Sequence, residues 1–393
     1  MLGKLNIAIV GCGPGGLATA LFLQRHGHDI TIFEQFAEPL PLGSGLLIQP
    51  SGQLILEMLG LLDRIKSMAS PVIQLNGISV ERNRRALDMR YSNTSEGIAA
   101  LGIHRASLFA VLLEAIQKAD IPIVVNSRLS AVEDGDNGIR PVFESGVNSG
   151  AFDLLIDATG ARSPVAGGKV TRLNYGAFWA TVDMPQAHCI MPAALDQRYY
   201  RASQMAGIMP IGLNPATGNP GAALFWSEKP ENAGQVIESG IDRFQQNYCD
   251  LWPEAEPFVS QITSVEELNL AVYNHRTGLP SPTDRLFHVG DSWHCTSPQL
   301  GQGANMALID AAALAAALER SASLSEAGER YRKARMTHIR LYQMLSVIFT
   351  PLYQSDSLLK PLIRDIAIHH FARMPFIRRF IAKTVSGNLA LSI

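Results

Sequence analysis

A glycine-rich turn near the start of the chain has the spacing that binds a dinucleotide. The pattern GxGxxG is matched by Gly11-Cys12-Gly13-Pro14-Gly15-Gly16, directly after an apolar run. The first glycine permits a tight turn, the second lets the backbone approach a pyrophosphate, and the third lets helix and strand pack closely. Glu34, followed by Gln35, lies about twenty residues on, where a carboxylate binds ribose hydroxyl groups. FAD and NAD both fit these residues.

A second glycine-rich segment near residue 300 has the composition of another cofactor contact. An apolar run ends at Gly290-Asp291, where glycine admits close backbone approach and aspartate accepts from a sugar hydroxyl. The chain continues through Pro298-Gln299-Leu300-Gly301-Gln302-Gly303-Ala304-Asn305 into an alanine-rich stretch. If that stretch is helical, its N-terminus brings partial positive charge to the cofactor and stabilises negative charge there.

The elements that must position these turns are predicted from hydrophobic periodicity. Residues 6–10 and 29–33 read as strands and residues 17–26 as the helix between them, which makes one βαβ unit. Further segments are expected to join this unit in one sheet domain. They are helices at 104–120 and 304–320 and strands at 121–125, 129–133, 141–144, 153–158 and 285–289.

Composition excludes several classes of protein. Hydrophobic residues make up 47% of the 393 residues and charged residues 17%, which argues against disorder. The net charge of -2 gives no electrostatic footprint for nucleic acid. Four scattered cysteines, Cys12, Cys189, Cys249 and Cys295, indicate neither a metal site nor a disulfide framework. With no signal peptide and no apolar run of about 18 residues, we expect a cytoplasmic protein.

The segment around Gly290-Asp291 resembles the GD motif of the flavoprotein aromatic hydroxylases, the single-component FAD monooxygenases of the para-hydroxybenzoate hydroxylase type. The resemblance covers most of the first 340 residues through separated motifs. It implies that Asp291 holds the ribityl or ribose region of FAD and that Pro298 to Asn305 lies along the isoalloxazine. It also implies a loop under the flavin at Gly43–Pro50, which includes Gly45, and an FAD contact by Arg105.

One motif departs from the family pattern. The segment Asp157-Ala158-Thr159-Gly160 resembles the family's Asp-Gly motif, so Asp157 and Gly160 are expected at the cofactor. Thr159, however, stands where the family has aspartate, and Ala166 where it has arginine. Because the resemblance links this motif to FAD and NAD(P)H handling, the departure bears more on the nicotinamide donor than on FAD.

The resemblance implies that NADH or NADPH reduces FAD and that O₂ then forms a flavin hydroperoxide, which hydroxylates a small aromatic or cyclic substrate. His294 is the general-base candidate, and Pro298 and Gln299 lie in the loop beside the reacting atoms. Substrate-pocket candidates come from the middle of the chain, where motifs are weakest: Tyr200, Met209, Pro210 and Trp226.

The expected fold is α/β. A discontinuous Rossmann-like FAD-binding domain comprises 1–69, 101–170 and 281–345, and an inserted antiparallel β-sheet substrate domain comprises 70–100 and 171–280. A helical tail covers 346–393. The tail is basic and amphipathic, but Pro375 interrupts its apolar face, which favours packing on the sheet domain over contact with a membrane or a partner.

Two alternative functions remain open at this point. Thr159 favours an FAD-dependent oxidase, reductase or protein-cofactor maturation enzyme of the same fold. The basic tail is the docking element of the other alternative, a flavin-binding protein that acts through a partner. Neither the substrate nor the oligomeric state follows from the sequence.

Overall fold

A computed structural model gives the structure of residues 2–39, 43–94, 96–188, 190–277, 284–371, 374–389 and 391. Cys189 lies outside these described residues. The side chains of residues 277, 367–371 and 375 are also outside the description.

The strands are short, and most end at a glycine or a polar turn. In chain order they are β1 (Asn6–Val10), β2 (Asp29–Phe33), β3 (Gly45–Ile48), β4 (Ser70–Val72), β5 (Gln74–Ser79), β6 (Arg84–Arg90), β7 (Ala100–His104), β8 (Ile123–Val124), β9 (Leu129–Gly135), β10 (Gly138–Phe143), β11 (Leu154–Asp157), β12 (Lys169–Arg172), β13 (Gly176–Asp183), β14 (Ala194–Tyr200), β15 (Gln204–Leu213), β16 (Pro220–Glu228), β17 (Asn269–Ala271), β18 (Asn274–Thr277) and β19 (Leu286–His288).

The helices are concentrated at both ends of the chain. They are α1 (Pro14–Arg25), α2 (Pro50–Met58), α3 (Leu62–Lys66), α4 (Arg105–Lys118), α5 (Ala233–Glu238), α6 (Ile241–Leu251), α7 (Glu256–Val259), α8 (Asp291–His294), α9 (Gly303–Glu319), α10 (Leu324–Tyr353), α11 (Leu359–Phe371) and α12 (Pro375–Val385).

A parallel sheet in the order β19-β11-β1-β2-β8 holds both glycine-rich turns. Its central strand pairs Ile9 with Ile156 on one side and with Ile32 on the other. Strands far apart in sequence therefore join the first βαβ unit, as predicted, and their carboxyl ends bring Gly11, Gly160 and Gly290 to one edge. The prediction was wrong for β9 and β10, which form a separate two-stranded sheet. β9 is largely exposed, whereas a parallel sheet needs strands that are buried on both faces.

The second large sheet has the order β17-β13-β16-β15-β14-β5-β6. Residues 70–100 contribute β5 and β6 to it, as expected. Its pairs are antiparallel except β14 and β5, which are parallel, so the purely antiparallel sheet of the prediction needs this correction. These two strands are more than a hundred residues apart and cannot form a hairpin. β4 joins β3 and β7 in a three-stranded sheet instead.

The seven-stranded sheet has two differently covered faces. Its outer face, which carries Ala206, Ile208 and Trp226, packs on α6 and α7. Its inner face, which carries Met209 and Ala223, packs on the loop that begins at β3. The strand alternation of side chains therefore separates a structural core from a surface that faces the parallel-sheet region.

The C-terminal tail packs on its own chain, as predicted. α12 begins at Pro375, which is tolerated in the first turn of a helix, and buries Ala382 and Val385 in the inner-face cluster with Met209. None of the described helices is long and apolar enough to cross a membrane.

Candidate cofactor and substrate site

Each glycine of the first turn has its own steric role. Gly11 has a φ of 112°, and a Cβ there would collide with the carbonyl oxygen of Ala158. A Cβ on Gly16 would collide with the Gly11 carbonyl, because α1 packs directly on the turn. A Cβ on Gly13, in contrast, would meet no described atom within 4 Å. The turn is therefore tight where it touches the sheet and open where a pyrophosphate is expected.

A cavity of about 330 Å³ lies beside this turn at the N-terminus of α1. The first N–H groups of a helix have no partner within it and bind phosphate. Gly15 is buried against Ala307 of α9 and does not line the cavity. The cavity lining includes these predicted cofactor residues: Gly11, Gly13, Pro14, Glu34, Gln35, Arg105 and Gly160.

Glu34 directly follows β2, and backbone groups fix its carboxylate. Its Oε2 accepts a hydrogen bond from the Cys12 N–H at 2.9 Å, and its Oε1 accepts one from the Phe36 N–H at 3.1 Å. Burial, together with the adjacent Glu34 carboxylate, raises the pKa of the Cys12 thiol well above its usual range, so the thiol stays protonated. A carboxylate has further lone pairs, which leaves Glu34 able to accept from a ribose hydroxyl.

Arg105 is positioned at the cavity by the first turn of α4. The His104 side chain caps this helix by accepting the Ala106 N–H at 3.1 Å, and the Arg105 N–H donates to the Ser44 carbonyl at 2.8 Å. A Cβ on Gly43 would lie 3.0 Å from Arg105 Cδ. The loop before β3 thus lies against Arg105, as expected for two segments that enclose one cofactor.

The structure corrects the cofactor role of Asp157. This side chain is fully buried, and its Oδ1 accepts hydrogen bonds from the N–H and the hydroxyl of Thr159 at 3.0 and 2.6 Å. Its Oδ2 accepts from Ser163 and lies 2.9 Å from His288 Nδ1. Both oxygens therefore hold the loop after β11 in place, and neither faces the cavity.

The second glycine turn is held by a buried carboxylate, and this geometry corrects the role of His294. Asp310 Oδ2 accepts the Gly290 N–H at 2.8 Å and lies 2.6 Å from His294 Nε2. Asp310 Oδ1 accepts from Arg335 at 2.6 Å. Burial raises the pKa of Asp310, but the interactions with His294 and Arg335 lower it to about 2. The His294 side chain is 1% exposed and committed to Asp310, which is a structural arrangement and not that of a general base.

The loop before α9 carries the other predicted cofactor and catalytic residues. Pro298 and Gln299 lie in a 3₁₀ turn, with Pro298 exposed, and Gly301 ends that turn in a left-handed conformation. Gly303 begins α9, and Ala304 follows in its first turn. Asp291 is exposed at the start of α8, and its Oδ1 lies 4.0 Å from where a Gly303 Cβ would be.

Two side chains, one at the end of this loop and one in the first turn of α9, bind other parts of the protein. Asn305 accepts the Gln49 N–H at 2.8 Å and donates to the Leu47 and Gly301 carbonyls at 3.0 Å. Gln302 donates to the Val385 carbonyl at 2.6 Å. Both polar atoms of the Asn305 side chain are thus engaged by protein, whereas the buried Gln302 Oε1 has no partner among the described residues.

The α9 loop also offers a test of whether an isoalloxazine ring fits there. Gln49 is fully buried, and no described residue accepts from its Nε2, which lies 3.4 Å from where a Gly301 Cβ would be. A buried unpaired donor is costly unless a ligand completes it. This nitrogen has no accessible surface, however, so the group that fits the polar edge of a flavin is the N-terminus of the seventeen-residue α9.

The substrate candidates divide between the two faces of the seven-stranded sheet. Met209 lies on the inner face, 2.8 Å from where a Gly45 Cβ would be, so Gly45 serves close packing on the sheet. Trp226 lies on the outer face with its ring 5.5 Å from that of Tyr248. Strand alternation puts the half-buried Pro210 on the outer face too. Trp226 and Pro210, which were expected to line the substrate pocket, therefore lie on the opposite face of the sheet from Met209.

Tyr200 is also misplaced as a pocket residue. It is 42% exposed and lies beside the Arg201 guanidinium, whereas its neighbour Tyr199 is buried. Successive residues of a strand point to opposite faces, so on β14 it is Tyr199 and not Tyr200 that points toward the inner face.

Sequence reasoning missed three features of the site. Gln49 accepts a 2.6 Å hydrogen bond from the buried Tyr91 hydroxyl. Trp179 donates from its indole to the Tyr273 hydroxyl at 3.0 Å on the inner face. The sequence offered a signal only for Gln49, which is a polar residue at the end of an otherwise apolar segment before Pro50. Burial raises the pKa of Tyr273 to about 12, despite the opposing effects of the Trp179 hydrogen bond and the Arg105 charge.

The third missed residue is Arg276, which is buried in β18. Its guanidinium donates to the carbonyls of Ala161, Ala166 and Gly167 at 2.9 to 3.1 Å. It closes the loop in which Ala166 replaces the family's arginine. No local pattern links these positions, since they are more than a hundred residues apart.

The family assignment agrees with this geometry. The sequence profile described as "FAD binding domain" matches residues 4–337, which is most of the chain. The chain belongs to this FAD-binding family, the flavoprotein aromatic hydroxylases. FAD is its cofactor. Among the described residues, no group of three or more His, Cys, Asp or Glu is placed to hold a metal ion.

Several characterised proteins are similar over most of their length. An FAD-dependent urate hydroxylase of Klebsiella pneumoniae subsp. pneumoniae is 22% identical over 86% of this chain and 87% of its own. A 3-amino-4-hydroxybenzoate 2-monooxygenase of Streptomyces cremeus is 25% identical over 84% and 83%. The structure of Klebsiella pneumoniae HpxO with FAD and uric acid superposes with a TM-score of 0.81 at 18% identity, over 98% of each chain. The fold is thus that of an FAD enzyme.

Proposed function

We propose that this protein is an FAD-dependent monooxygenase that uses NADH or NADPH and O₂ to hydroxylate a small aromatic or heterocyclic molecule. The observation that carries the proposal is the placement of the α9 loop. Just after this loop, Asn305 of α9 binds the backbone of Leu47 in β3 and of Gln49. Gly45 at the start of β3 in turn lies against the inner face of the seven-stranded sheet. A flavin ring held there faces an apolar and aromatic surface that excludes water.

FAD supplies the electron transfer and O₂ activation, and the chain supplies binding and orientation. In this proposal Glu34 accepts the ribose hydroxyls, the α1 N-terminus binds the pyrophosphate, and Asp291 binds the ribityl region. Arg105 neutralises charge along the dinucleotide. Pro298 and Gln299 contact the substrate at the open side of the loop.

The inner face is the proposed substrate surface. Met209 and Leu47 give it an apolar floor, and Trp179 with Tyr273 gives it an aromatic edge near Arg105. Aromatic side chains stack on planar rings, and a phenol or indole presents a polar atom at the same time. The named substrates of the relatives, urate and 3-amino-4-hydroxybenzoate, are planar rings with polar substituents, which suit such a surface.

We further propose the domain limits 1–69, 101–170 and 281–345 for FAD binding, 70–100 and 171–280 for substrate binding, and 346–393 for the tail. A partner-docking function for the tail is not favoured, because α12 packs on the inner-face cluster of its own chain.

A second candidate function rests on the loop after β11. Thr159 and Ala166 replace the family's aspartate and arginine, the Thr159 hydroxyl is bound to Asp157, and Arg276 caps the Ala166 carbonyl. These substitutions favour an oxidase, reductase or protein-cofactor maturation enzyme that takes electrons from another donor.

Anaerobic rapid mixing separates the two candidates. FAD-loaded protein is mixed with NADH or NADPH, without ligand and with urate or 3-amino-4-hydroxybenzoate, while flavin absorbance is followed. The monooxygenase proposal predicts reduction by at least one nucleotide, accelerated by a ring ligand. Flavin that stays oxidised with both nucleotides, with and without ligands, contradicts it and supports the second candidate.

A further inference from the structure

The helices at the end of the chain expose an unusual share of apolar side chains. Among the described residues, ten of the 24 large hydrophobic side chains that are exposed lie in residues 344–380, which is less than a tenth of the chain. Single exposed apolar side chains are normal on a protein surface, whereas a concentration of them marks a contact with another molecule or a membrane. We therefore expect this part of the molecule to be covered by something outside the chain.

On α10 and α11 the exposed apolar residues are spaced three or four positions apart, so each helix presents them on one face. They are Met344, Val347 and Ile348 on α10, and Leu359, Ile363 and Ile366 on α11. α11 packs on α10 and on the edge strand β6, and α12 packs on β6 as well. The three helices are therefore neighbours at one edge of the seven-stranded sheet.

α12 uses its two faces differently. One face buries Ala382 in the inner-face cluster of its own chain. The other exposes Phe376, which is 78% exposed, and Phe380, and the exposed Arg379 and Lys383 follow these two residues three positions later. Exposed aromatic side chains with Lys and Arg beside them are typical of a helix that lies on a membrane surface. These exposed faces of α10, α11 and α12 are together called the terminal surface.

The charge of this region differs in sign from that of the whole chain. Residues 344–393 contain six Lys and Arg and two Asp, a net charge of +4, whereas the whole chain carries -2. Both Asp residues pair with cations away from α12, since Asp365 is buried against Arg364 and Asp356 pairs with Lys229. An apolar surface that carries unneutralised positive charge is complementary to a bilayer with anionic headgroups. A second copy of the chain on the same surface would instead bring like charges together.

We propose that the terminal surface binds peripherally to a bilayer that contains anionic lipids. Its apolar side chains enter the boundary between headgroups and acyl chains, and the exposed Lys360, Arg379 and Lys383 bind the headgroups. The contact is with one leaflet, because none of the described helices is long and apolar enough to span a membrane. This inference goes beyond the proposed function and does not depend on it, because it concerns where the protein lies and not what its flavin does.

The test is flotation of the full-length, FAD-loaded protein with lipid vesicles. Vesicles of phosphatidylcholine alone are compared with vesicles of phosphatidylcholine and phosphatidylserine at physiological ionic strength and at high salt. The protein is expected to bind the mixed vesicles about tenfold more tightly than the neutral ones, and high salt is expected to remove most of that difference. Wild-type protein that does not float with the mixed vesicles overturns the inference.

Two pairs of exposed apolar residues at the same spacing locate the contact. Phe376→Ser combined with Phe380→Ser is expected to weaken binding to the mixed vesicles about tenfold, because two aromatic side chains no longer enter the bilayer. The matched control is Leu54→Ser combined with Met58→Ser, a pair exposed on α2 and expected to bind as the wild type does. An equal loss of binding in both double variants overturns the inference, because the contact is then not at the terminal surface.

Arg379→Gln combined with Lys383→Gln tests the charge without removing apolar area. This variant is expected to bind the mixed vesicles about tenfold more weakly and the neutral vesicles as the wild type does, and it decides the question if the Phe variant does not fold. Unchanged binding to the mixed vesicles contradicts the inference. Light scattering tests the alternative of a second copy. A wild-type dimer that the Phe variant converts to a monomer overturns the inference in favour of self-association.

Discussion

Two tryptophans on opposite faces of one sheet have different expected roles. Trp226 packs between Phe244 and Tyr248 on the outer face, with ring centroids 6.2 and 5.5 Å away, so it belongs to a structural core. Trp179 lies on the inner face and donates to Tyr273. The two tryptophans lie on neighbouring strands, β13 and β16, but they point to opposite faces because Trp226 pairs with Phe178 and not with Trp179.

Exchanging each tryptophan for leucine tests this assignment. Trp226→Leu is expected to lower the free energy of unfolding by about 2 kcal/mol and to leave KM for the ring substrate within twofold, since it creates a core cavity away from the inner face. Trp179→Leu is expected to raise KM about tenfold with a smaller loss of stability, because an aromatic contact with the ligand is removed. Urea denaturation and steady-state kinetics measure both. The assignment fails if the two substitutions change KM equally.

At the residue scale, the steric roles of the glycines could be predicted from the sequence. The direction in which a side chain points could not. The roles of Gly11 and Gly16 follow from the spacing of neighbouring residues, and the geometry agrees. Asp157 was assigned to the cofactor because its segment resembles a family motif. Its hydrogen bonds to Thr159 and Ser163 were not predictable, because they depend on how the loop folds back. Trp226 was placed in the pocket because composition marks an aromatic side chain without indicating which face of the strand carries it.

At the scale of elements, the end of α12 is tied both to the loop before α9 and to α10. Gln302 donates to the Val385 carbonyl at 2.6 Å, and the Tyr342 hydroxyl donates to the Thr384 carbonyl at 2.6 Å. Gly387 follows with a φ of 82°, and a Cβ there would collide with the Ser51 hydroxyl. The tail is thereby held against the first turns of α2 and α9.

Gly387→Ala is expected to release the tail. Alanine with a positive φ costs about 1 to 2 kcal/mol, and the contact with Ser51 adds to that cost. Limited trypsin digestion, followed by mass spectrometry, should show faster cleavage after Arg378, Arg379 and Lys383. Gly218→Ala is the control, since Gly218 has a φ of 76° but a Cβ there meets no described atom within 4 Å. Equal cleavage rates in the two variants would refute the role of the Ser51 contact.

The elements themselves were largely predictable. The strand at Asn6–Val10 was found because it is a short apolar run that ends at glycines, and the strand at Asp29–Phe33 because it is rich in β-branched residues and ends at Glu34. The separation of β9 and β10 from the parallel sheet was not, because short strands look alike whichever sheet they join. The parallel pairing of β5 with β14 depends on contacts across more than a hundred residues, which no local period encodes.

Across the whole molecule, a buried chain of charges connects the second glycine turn with the C-terminal tail. Asp310 binds the Gly290 N–H and Arg335, and Arg335 Nη1 lies 2.9 Å from His338 Nδ1. His338 Nε2 lies 3.1 Å from the Gly387 carbonyl. Because Nδ1 accepts from the guanidinium, the neutral ring must carry its proton on Nε2 and donate it to the tail.

This arrangement predicts a pH-dependent stability. Burial and the Arg335 charge lower the pKa of His338 to about 4, although its hydrogen bond to Gly387 opposes the decrease. In the unfolded chain this ring titrates near 6.5, so below that pH the unfolded state binds the extra proton. The contribution of neutral His338 to the free energy of unfolding is fully present above pH 6.5. It is lost as the pH falls toward 4, by up to about 1.4 kcal/mol per pH unit.

Urea denaturation at pH 7, 5.5 and 4.5 measures this dependence. His28, His104 and His275 also have a lowered pKa and add to the slope, so the informative quantity is the difference from His338→Gln. The variant is expected to lose less stability than the wild type between pH 6.5 and 4.5. Asp310 does not interfere, because its pairing is lost only below about pH 4. Parallel curves for the two proteins would show that His338 is not the group responsible.

The central claim is that FAD held between the two glycine turns inserts oxygen from O₂ into a ring that lies on the inner face. The most direct measurement is turnover of urate, 3-amino-4-hydroxybenzoate and related planar heterocycles under ¹⁸O₂ with NADH or NADPH, followed by mass spectrometry of the product. We predict that at least one ring gains one ¹⁸O atom per nucleotide oxidised. Nucleotide oxidation that yields only hydrogen peroxide, or a product whose new oxygen comes from water, would contradict the claim.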